Sequence, residues 1–209
     1  MKILATLALS IVAVATAAFA EPASTPPAAT AERPSTWATP LKMDGLPNLH
    51  RVSDTLLRSA QPTKEGMQSL GSLKVKTVVN LRSFHSDRDE LGDVKTGYEH
   101  ITMKAWHPEY KEAVRFLKIA TDPTKTPVLV HCQHGADRTG TMCALYRVAV
   151  QGWSKEDALR EMTGGGFGYH KVWVNLPSWF KDLDIDALRK DAGIAAPAAK
   201  GDAATAPQK

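Results

Sequence analysis

Residues 131–140 read His-Cys-Gln-His-Gly-Ala-Asp-Arg-Thr-Gly, and they constrain this chain more than any other stretch. Before them stands Pro127-Val128-Leu129-Val130, short and β-branched; after them Thr141 to Val150 suits a buried helix. The ten residues therefore form a loop from a strand into a helix. Such a loop turns several backbone N–H groups toward the positive end of the helix dipole, which makes a cradle for a phosphate or sulfate. At its start, Cys132 sits where the same field favours thiolate, the form that attacks. At its end, the Arg138 guanidinium can grip two oxygens of a tetrahedral anion and hold charge as it shifts in a transition state. Gln133, His134, Gly135, Ala136 and Asp137 form the anion-binding interior. Gly135 and Gly140 permit backbone approaches that a Cβ would obstruct. Two positions stay open: His131 either fixes the loop through an imidazole hydrogen bond or is a satisfied core histidine, and Asp137 is either an ionisable group beside the anion or an orienting group for an arginine or the loop.

The run His131-Cys132, Gly135, Arg138-Thr139-Gly140 resembles the signature of the cysteine-dependent protein tyrosine and dual-specificity phosphatases. A bare Cys-x5-Arg spacing arises by chance, whereas the full run between strand and helix is specific. Leu57 to Pro62, and Gly152 to Leu159 leading into Gly164 to His170, resemble segments of the bacterial secreted dual-specificity-like phosphatases, a group that includes periplasmic tyrosine phosphatases implicated in biofilm control. The likeness runs from about residue 45 to residue 185. It implies an exported hydrolase, periplasmic or secreted, of phosphotyrosine esters, with phosphoserine and phosphothreonine as further substrates, acting through a phosphocysteine without metal or cofactor. Thr139 would then hydrogen-bond the Cys132 sulfur and make it a better leaving group when the phosphocysteine is hydrolysed. The partner implied is a phosphorylated protein or a small phosphoester.

One departure from the family pattern concerns the proton for the leaving group, which an aspartate on a mobile loop upstream of the cysteine usually supplies. Here no aspartate occurs between Asp93 and Asp122. Trp106-His107-Pro108-Glu109 resembles the family's Trp-Pro-Asp loop only loosely, and it leaves Glu109, then His107, as candidate acids. The alternative for Glu109 is a plain first-turn glutamate facing a helix dipole. Three other readings compete: a phosphatase of inositol phosphates or other small phosphoesters, which the lysine-free loop interior suits poorly; a weakly catalytic module that captures phosphopeptides; and a rhodanese-type sulfurtransferase, which the Arg138-Thr139-Gly140 ending disfavours.

The chain opens with Lys2, an apolar run from Ile3 to Phe19 and Ala18-Phe19-Ala20, the pattern of a signal peptide spanning residues 1–20. No later stretch is apolar enough to cross a membrane, so no stable membrane insertion is expected after cleavage. Residues 21–44 and 192–209 are rich in Pro, Ala, Ser and Thr, with little to bury, and read as a flexible linker and a disordered tail. Residues 45–191 then suffice for one domain. The formal charge of +4 is a mild surplus without a basic stripe, which argues against nucleic-acid binding. Of the two cysteines, Cys132 reads as the nucleophile and Cys143 as a buried helical residue; a disulfide between them that guards the nucleophile is the alternative.

Within the domain the pattern predicts a strand pair at 49–52 and 55–58, a Thr63-capped helix reaching Leu73, and a doubly buried strand at 76–81. A polar loop at 82–90, a strand at 99–103, a helix at 109–121 and the strand before Cys132 follow. Helices at 139–151 and 155–162, the latter capped by Ser154 with Asp157, a glycine-rich loop at 164–170 and a final amphipathic helix around Trp173 to Leu183 complete it. The loop at 164–170 is either a wall of the substrate cleft or a tight interhelical turn. Arg58 and Arg82 either line a phosphate site or form salt bridges to Asp87, Asp89 or Glu90. Strands alternating with helices imply an α/β single domain, a central mainly parallel sheet flanked by helices, with its site at the C-terminal ends of the strands.

Overall fold

The computed structural model describes residues 33–197. The expected signal peptide, the start of the linker and the end of the tail lie outside the described residues. Six strands form one mixed sheet: β1 (Thr39–Pro40), β2 (His50–Ser53), β3 (Leu56–Ser59), β4 (Thr77–Asn80), β5 (Gly97–His100) and β6 (Val128–His131). Their spatial order is β1-β2-β3-β6-β4-β5. The β1/β2 and β2/β3 pairs are antiparallel, and the β3/β6, β6/β4 and β4/β5 pairs are parallel. Register aligns Ser59 and Asn80 with His131, and Asn80 with His100. The carboxyl ends of four strands thus meet along one edge, where the Cys132 loop begins.

Strand alternation divides the apolar residues between two cores, because successive side chains point to opposite faces. Leu56, Val79, Val128 and Val130 face one side with residues of α3 (Tyr110–Thr121), α4 (Asp137–Ala149), α5 (Lys155–Gly164), α6 (Asn175–Asp182) and α7 (Ile185–Ala192). Leu57, Val78 and Leu129 face the other side with Met67 of α1 (Lys64–Gln68), Leu70 of the 3-10 turn Ser69–Leu73 and Leu91 of α2 (Arg88–Leu91). All four residues of β3, β4 and β6 are buried, as parallel strands covered on both faces require. Burial of α4 continues almost all round, from Thr139 through Ala149. The buried cation Arg147 near its end is held by both oxygens of Glu161 on α5, at 2.6 and 2.7 Å, and its guanidinium lies 4.2 Å from the Trp153 ring centroid.

Local capping follows the sequence. Thr63 Oγ1 accepts from Gly66 N, and Ser154 Oγ accepts from Asp157 N. Four expectations need correction. The strand expected at 99–103 is β5, which ends at His100, three residues short of Met103: Ile101 N still donates to Asn80 O, and Met103 N then turns back onto Ile101 O at 2.7 Å. The polar loop at 82–90 contains α2, a single turn pinned by Leu91 in the core. The helix expected around Trp173 to Leu183 is α6 and is not the last: the chain extends at Leu183, and Asp184 then caps a further helix, α7, by accepting from Asp186 N and Ala187 N. Structure also reaches past both expected boundaries, since β1 lies within the expected linker with Ala38 buried beside it, and Ala192 is buried at the end of α7.

Candidate active site

The Cys132 loop leaves the buried end of β6 and enters α4 at Asp137. Cys132 itself is 2 % exposed. Gly135 has φ of +68°, and a Cβ there would lie 2.5 Å from Ser59 O and 2.6 Å from Ala60 N, so the loop is pressed backbone to backbone against the end of β3. Among the described residues, the backbone N–H groups from Gln133 to Thr139 have no protein acceptor. Buried N–H groups are rarely left unpaired, and a run of them around one loop at a helix N-terminus is an anion cradle. Gln133 and His134 are exposed at its rim, and Gly135, Ala136 and Gly140 are buried beneath it.

Arg138 extends from the first turn of α4, and its Nη1 donates to Leu81 O at 3.3 Å and Met103 O at 3.4 Å. Those carbonyls follow β4 and β5, so two strand ends aim the guanidinium across the loop. Thr139 is fully buried, yet its hydroxyl makes no hydrogen bond among the described residues. The expected bond to Cys132 is therefore not formed in this structure. Asp137 is the orienting residue of its two alternatives: its carboxylate accepts from His170 N at 2.9 Å and meets His170 Nδ1 at 2.8 Å. That pair ties the glycine-rich loop to the Cys132 loop, which makes the former a wall of the cleft. His131 directs Nε2 to Asp87 Oδ2 at 2.7 Å and Nδ1 to Cys132 O at 3.4 Å; it supports the loop through a carboxylate rather than through the backbone alone.

Two residues named in the sequence, Arg58 and Asp87, support the loop through partners that the sequence did not reveal. Arg58, 1 % exposed, donates to Gly135 O at 2.6 Å and stacks 3.6 Å from the Phe167 ring centroid. Asp87, fully buried, accepts from Gln61 Nε2 at 2.9 Å as well as facing His131. Burial pushes the Asp87 carboxyl up, but the hydrogen bonds and charge of His131, with Gln61 and His85, bring it below its ordinary value. The expected salt bridges of Arg58 and Arg82 to Asp87, Asp89 or Glu90 are not formed among the described residues. Arg82 instead donates to Gln61 Oε1 at 3.0 Å and lines the cleft. The run Arg58-Ser59-Ala60-Gln61 was visible in sequence, but its partners lie tens of residues away.

The cleft over the loop has a volume of about 480 Å³ and is lined by Arg82, Phe84, Trp106, Arg138, His170 and Trp173, among others. Phe84, Trp106 and Val172 are exposed apolar groups at its mouth, at 86 %, 58 % and 75 %. Asn175 Nδ2 donates to Ala105 O at 2.8 Å and so fixes the 104–107 turn against α6. Glu109 lies elsewhere: it caps α3, pairs with Lys111 Nζ at 2.6 Å and lines a separate depression with Lys104, Glu112 and Arg115. The Lys111 bond holds its carboxyl below the ordinary glutamate range, the wrong direction for a proton donor. Of the two readings of Glu109, the helix-capping one matches the structure, and neither Glu109 nor His107 lines the cleft. Cys143 is a free, buried thiol pushed up to about 11 by burial, against the pull of Arg58, and no disulfide joins it to Cys132.

Comparison with known proteins gives this geometry its lineage. Residues 44–170 match the family model described as DSP-PTPase phosphatase fused to NAD+ kinase. Over 160 residues the chain is 37 % identical to the dual specificity protein phosphatase TpbA of Pseudomonas aeruginosa, covering 76 % of this chain and 72 % of that one. A crystal structure of a cysteine-to-serine variant of P. aeruginosa TpbA in complex with pTyr superposes with a TM-score of 0.68 at 35 % identity, covering 77 % of this chain and 98 % of that one. A more distant relative, the inositol diphosphatase DSP5 of Arabidopsis thaliana, is 27 % identical over 125 residues, covering 55 % of this chain and 60 % of that one. The chain is a cysteine-dependent phosphatase and belongs to the DSP-PTPase family.

Proposed function

We propose that this chain hydrolyses phosphotyrosine esters through a phosphocysteine at Cys132, with its N-terminal pattern directing export to the periplasm. One observation carries the reading: an anion cradle ending in Arg138 opens into a cleft walled by Phe84, Trp106, Val172 and Trp173. A flat aryl phosphate satisfies both halves, anion below and ring between apolar walls. The crystal structure of the TpbA variant with pTyr supports the same assignment.

In the first step Cys132 Sγ attacks phosphorus as the P–O bond breaks and its electron pair leaves with the phenolic oxygen. The N–H groups from Gln133 to Thr139 and the Arg138 guanidinium hold the equatorial oxygens, where charge is spread in the transition state. In the second step water attacks phosphorus and the pair returns to sulfur. The buried, unpartnered Thr139 hydroxyl supports its reading as the donor to that sulfur, since an orphaned hydroxyl costs about 1–3 kcal/mol and a partner removes that cost. Among the described residues no carboxylic acid of the 104–109 turn lines the cleft, and the one lining carboxylate, Asp137, is engaged by His170, so we read the leaving oxygen as departing without a dedicated acid. A phenol, with a pKa near 10, tolerates this far better than a serine or threonine alkoxide. Preference for phosphotyrosine over phosphoserine follows.

The similarity to DSP5 favours a second reading, turnover of inositol phosphates. Against it, the cleft offers only Arg82 and Arg138 as permanent cations and includes the Asp137 carboxylate. The deciding experiment is release of phosphate from a tyrosine phosphopeptide, a serine phosphopeptide and inositol hexakisphosphate under reducing conditions with chelator. Turnover of the tyrosine peptide, abolished in Cys132→Ser, supports the proposal. Faster turnover of the inositol phosphate overturns it, and phosphopeptide binding without turnover by the unsubstituted protein makes this a capture module.

A further inference from the structure

Two imidazoles and a carboxylate converge at the mouth of the cleft. Ligand atoms of His134, Asp137 and His170 all lie within 4.8 Å of one another. His134 belongs to the Cys132 loop, Asp137 opens α4, and His170 ends the glycine-rich loop, so the donors come from two walls that face across the entrance. Asp137 is 8 % exposed at its side chain and His170 is 46 % exposed. The Asp137–His170 hydrogen bond accounts for two of the three. It does not account for His134, whose ring packs on His170 with centroids 5.0 Å apart and whose ring nitrogens have no hydrogen-bond partner among the described residues.

We propose that His134, Asp137 and His170 form a binding site for a divalent transition metal, and that Zn²⁺ bound there holds the phosphatase off. Two neutral imidazoles and one carboxylate form a donor set that zinc takes in preference to magnesium or calcium. Side-chain rotations of His134 and His170 bring the three atoms to the closer spacing of a tetrahedral site, and three protein ligands leave a fourth position open to the cleft. The metal takes the place of the hydrogen bond between His170 Nδ1 and Asp137 Oδ2, the His170 ring then carrying its proton on Nε2. Once bound, it ties His134 to His170 across the entrance and fixes the wall that a substrate ring must pass. Metal-independent turnover and inhibition by metal are compatible, because the ligands are not the groups that attack phosphorus. The inhibitory half of the proposal rests on the phosphatase reading; the binding half does not.

The test is calorimetric titration of Zn²⁺ into the Cys132→Ser protein, which removes the thiolate as a competing ligand, and into the same protein carrying His134→Asn or His170→Asn. One equivalent of zinc is expected, with affinity at least about tenfold lower in each histidine variant. Affinity unchanged by both substitutions overturns the site, as does loss of binding on Cys132→Ser alone, which would make the thiolate the ligand. In parallel, turnover of a tyrosine phosphopeptide by the unsubstituted protein should fall at least about tenfold with stoichiometric zinc and return with EDTA. Stoichiometric binding with unaltered turnover overturns the inhibitory role. Binding that follows the histidines, in a protein inactive on every phosphoester, refutes the phosphatase reading while the metal site stands.

Discussion

Gly135→Ala is the substitution for which the structure allows the fullest reckoning. The glycine has φ of +68° and packs against β3, where a Cβ would stand 2.5 Å from Ser59 O and 2.6 Å from Ala60 N and Ser59 C. The left-handed conformation costs an alanine roughly 1–2 kcal/mol. The overlap is with backbone atoms, which no rotamer change can relieve, and overpacking of that kind costs roughly 1–3 kcal/mol more. A total of about 2–5 kcal/mol corresponds to a fall in melting temperature of roughly 4–20 °C for a domain of this size. Some of the strain will be relieved by the loop lifting off β3, which stretches the Arg58 bond to Gly135 O and moves the N–H cradle. A misplacement near 1 Å costs about 100-fold in rate. Gly166→Ala is the control: φ is +81° but nothing lies within 4 Å of the added Cβ, so only the conformational cost applies. Thermal unfolding and kcat/KM on a tyrosine phosphopeptide read both effects. If Gly135→Ala matched Gly166→Ala in melting temperature and kept its kcat/KM within threefold, the tight contact between the loop and β3 would not hold the cradle.

Other consequences follow from buried charge. Glu161→Ala strands Arg147 inside the core and frees the Ala38 N–H that Glu161 accepts at 2.5 Å; a loss of about 3–5 kcal/mol in urea unfolding is expected, and a loss below about 1 kcal/mol would contradict it. The Asp87 carboxyl is depressed on folding from 3.8, so its contribution is present above that value and is lost as pH falls through the lower folded value. Unfolding midpoints measured from neutral pH into acid should therefore drop more steeply for the unsubstituted protein than for Asp87→Asn below about pH 4, and parallel curves would refute the coupling. With its thiol pushed up to about 11 and buried, Cys143 should resist iodoacetamide in the native protein at neutral pH while Cys132 reacts; mass spectrometry showing equal labelling would sink this.

Strands β4 and β6 were legible because buried parallel strands leave near-continuous apolar runs, and most of the helices announced themselves by period and caps. The further helix α7 was not. Trp173, Leu176, Trp179, Phe180 and Leu183 keep helical spacing up to the residue that leaves the helix, and the stop is set where Lys155 Nζ binds Lys181 O and Leu183 O from α5. Glu109 shows the reverse error: a carboxylate at a suggestive position in the chain is drawn aside by Lys111, two residues on.

The sequence by itself determined the candidate nucleophile, the candidate anion grip and the loop between them, because Cys132 to Arg138 are contiguous and their spacing is fixed by covalent geometry whatever surrounds them. Tertiary structure alone decided what holds that loop and what lies over it. Asp87 reaches His131 across 44 residues, Arg58 reaches Gly135 across 77, and Asp137 reaches His170 across 33. Periodicity reports that a face is buried but not against what, and a polar side chain carries no mark of its partner until strand register and helix packing bring the two within hydrogen-bond distance.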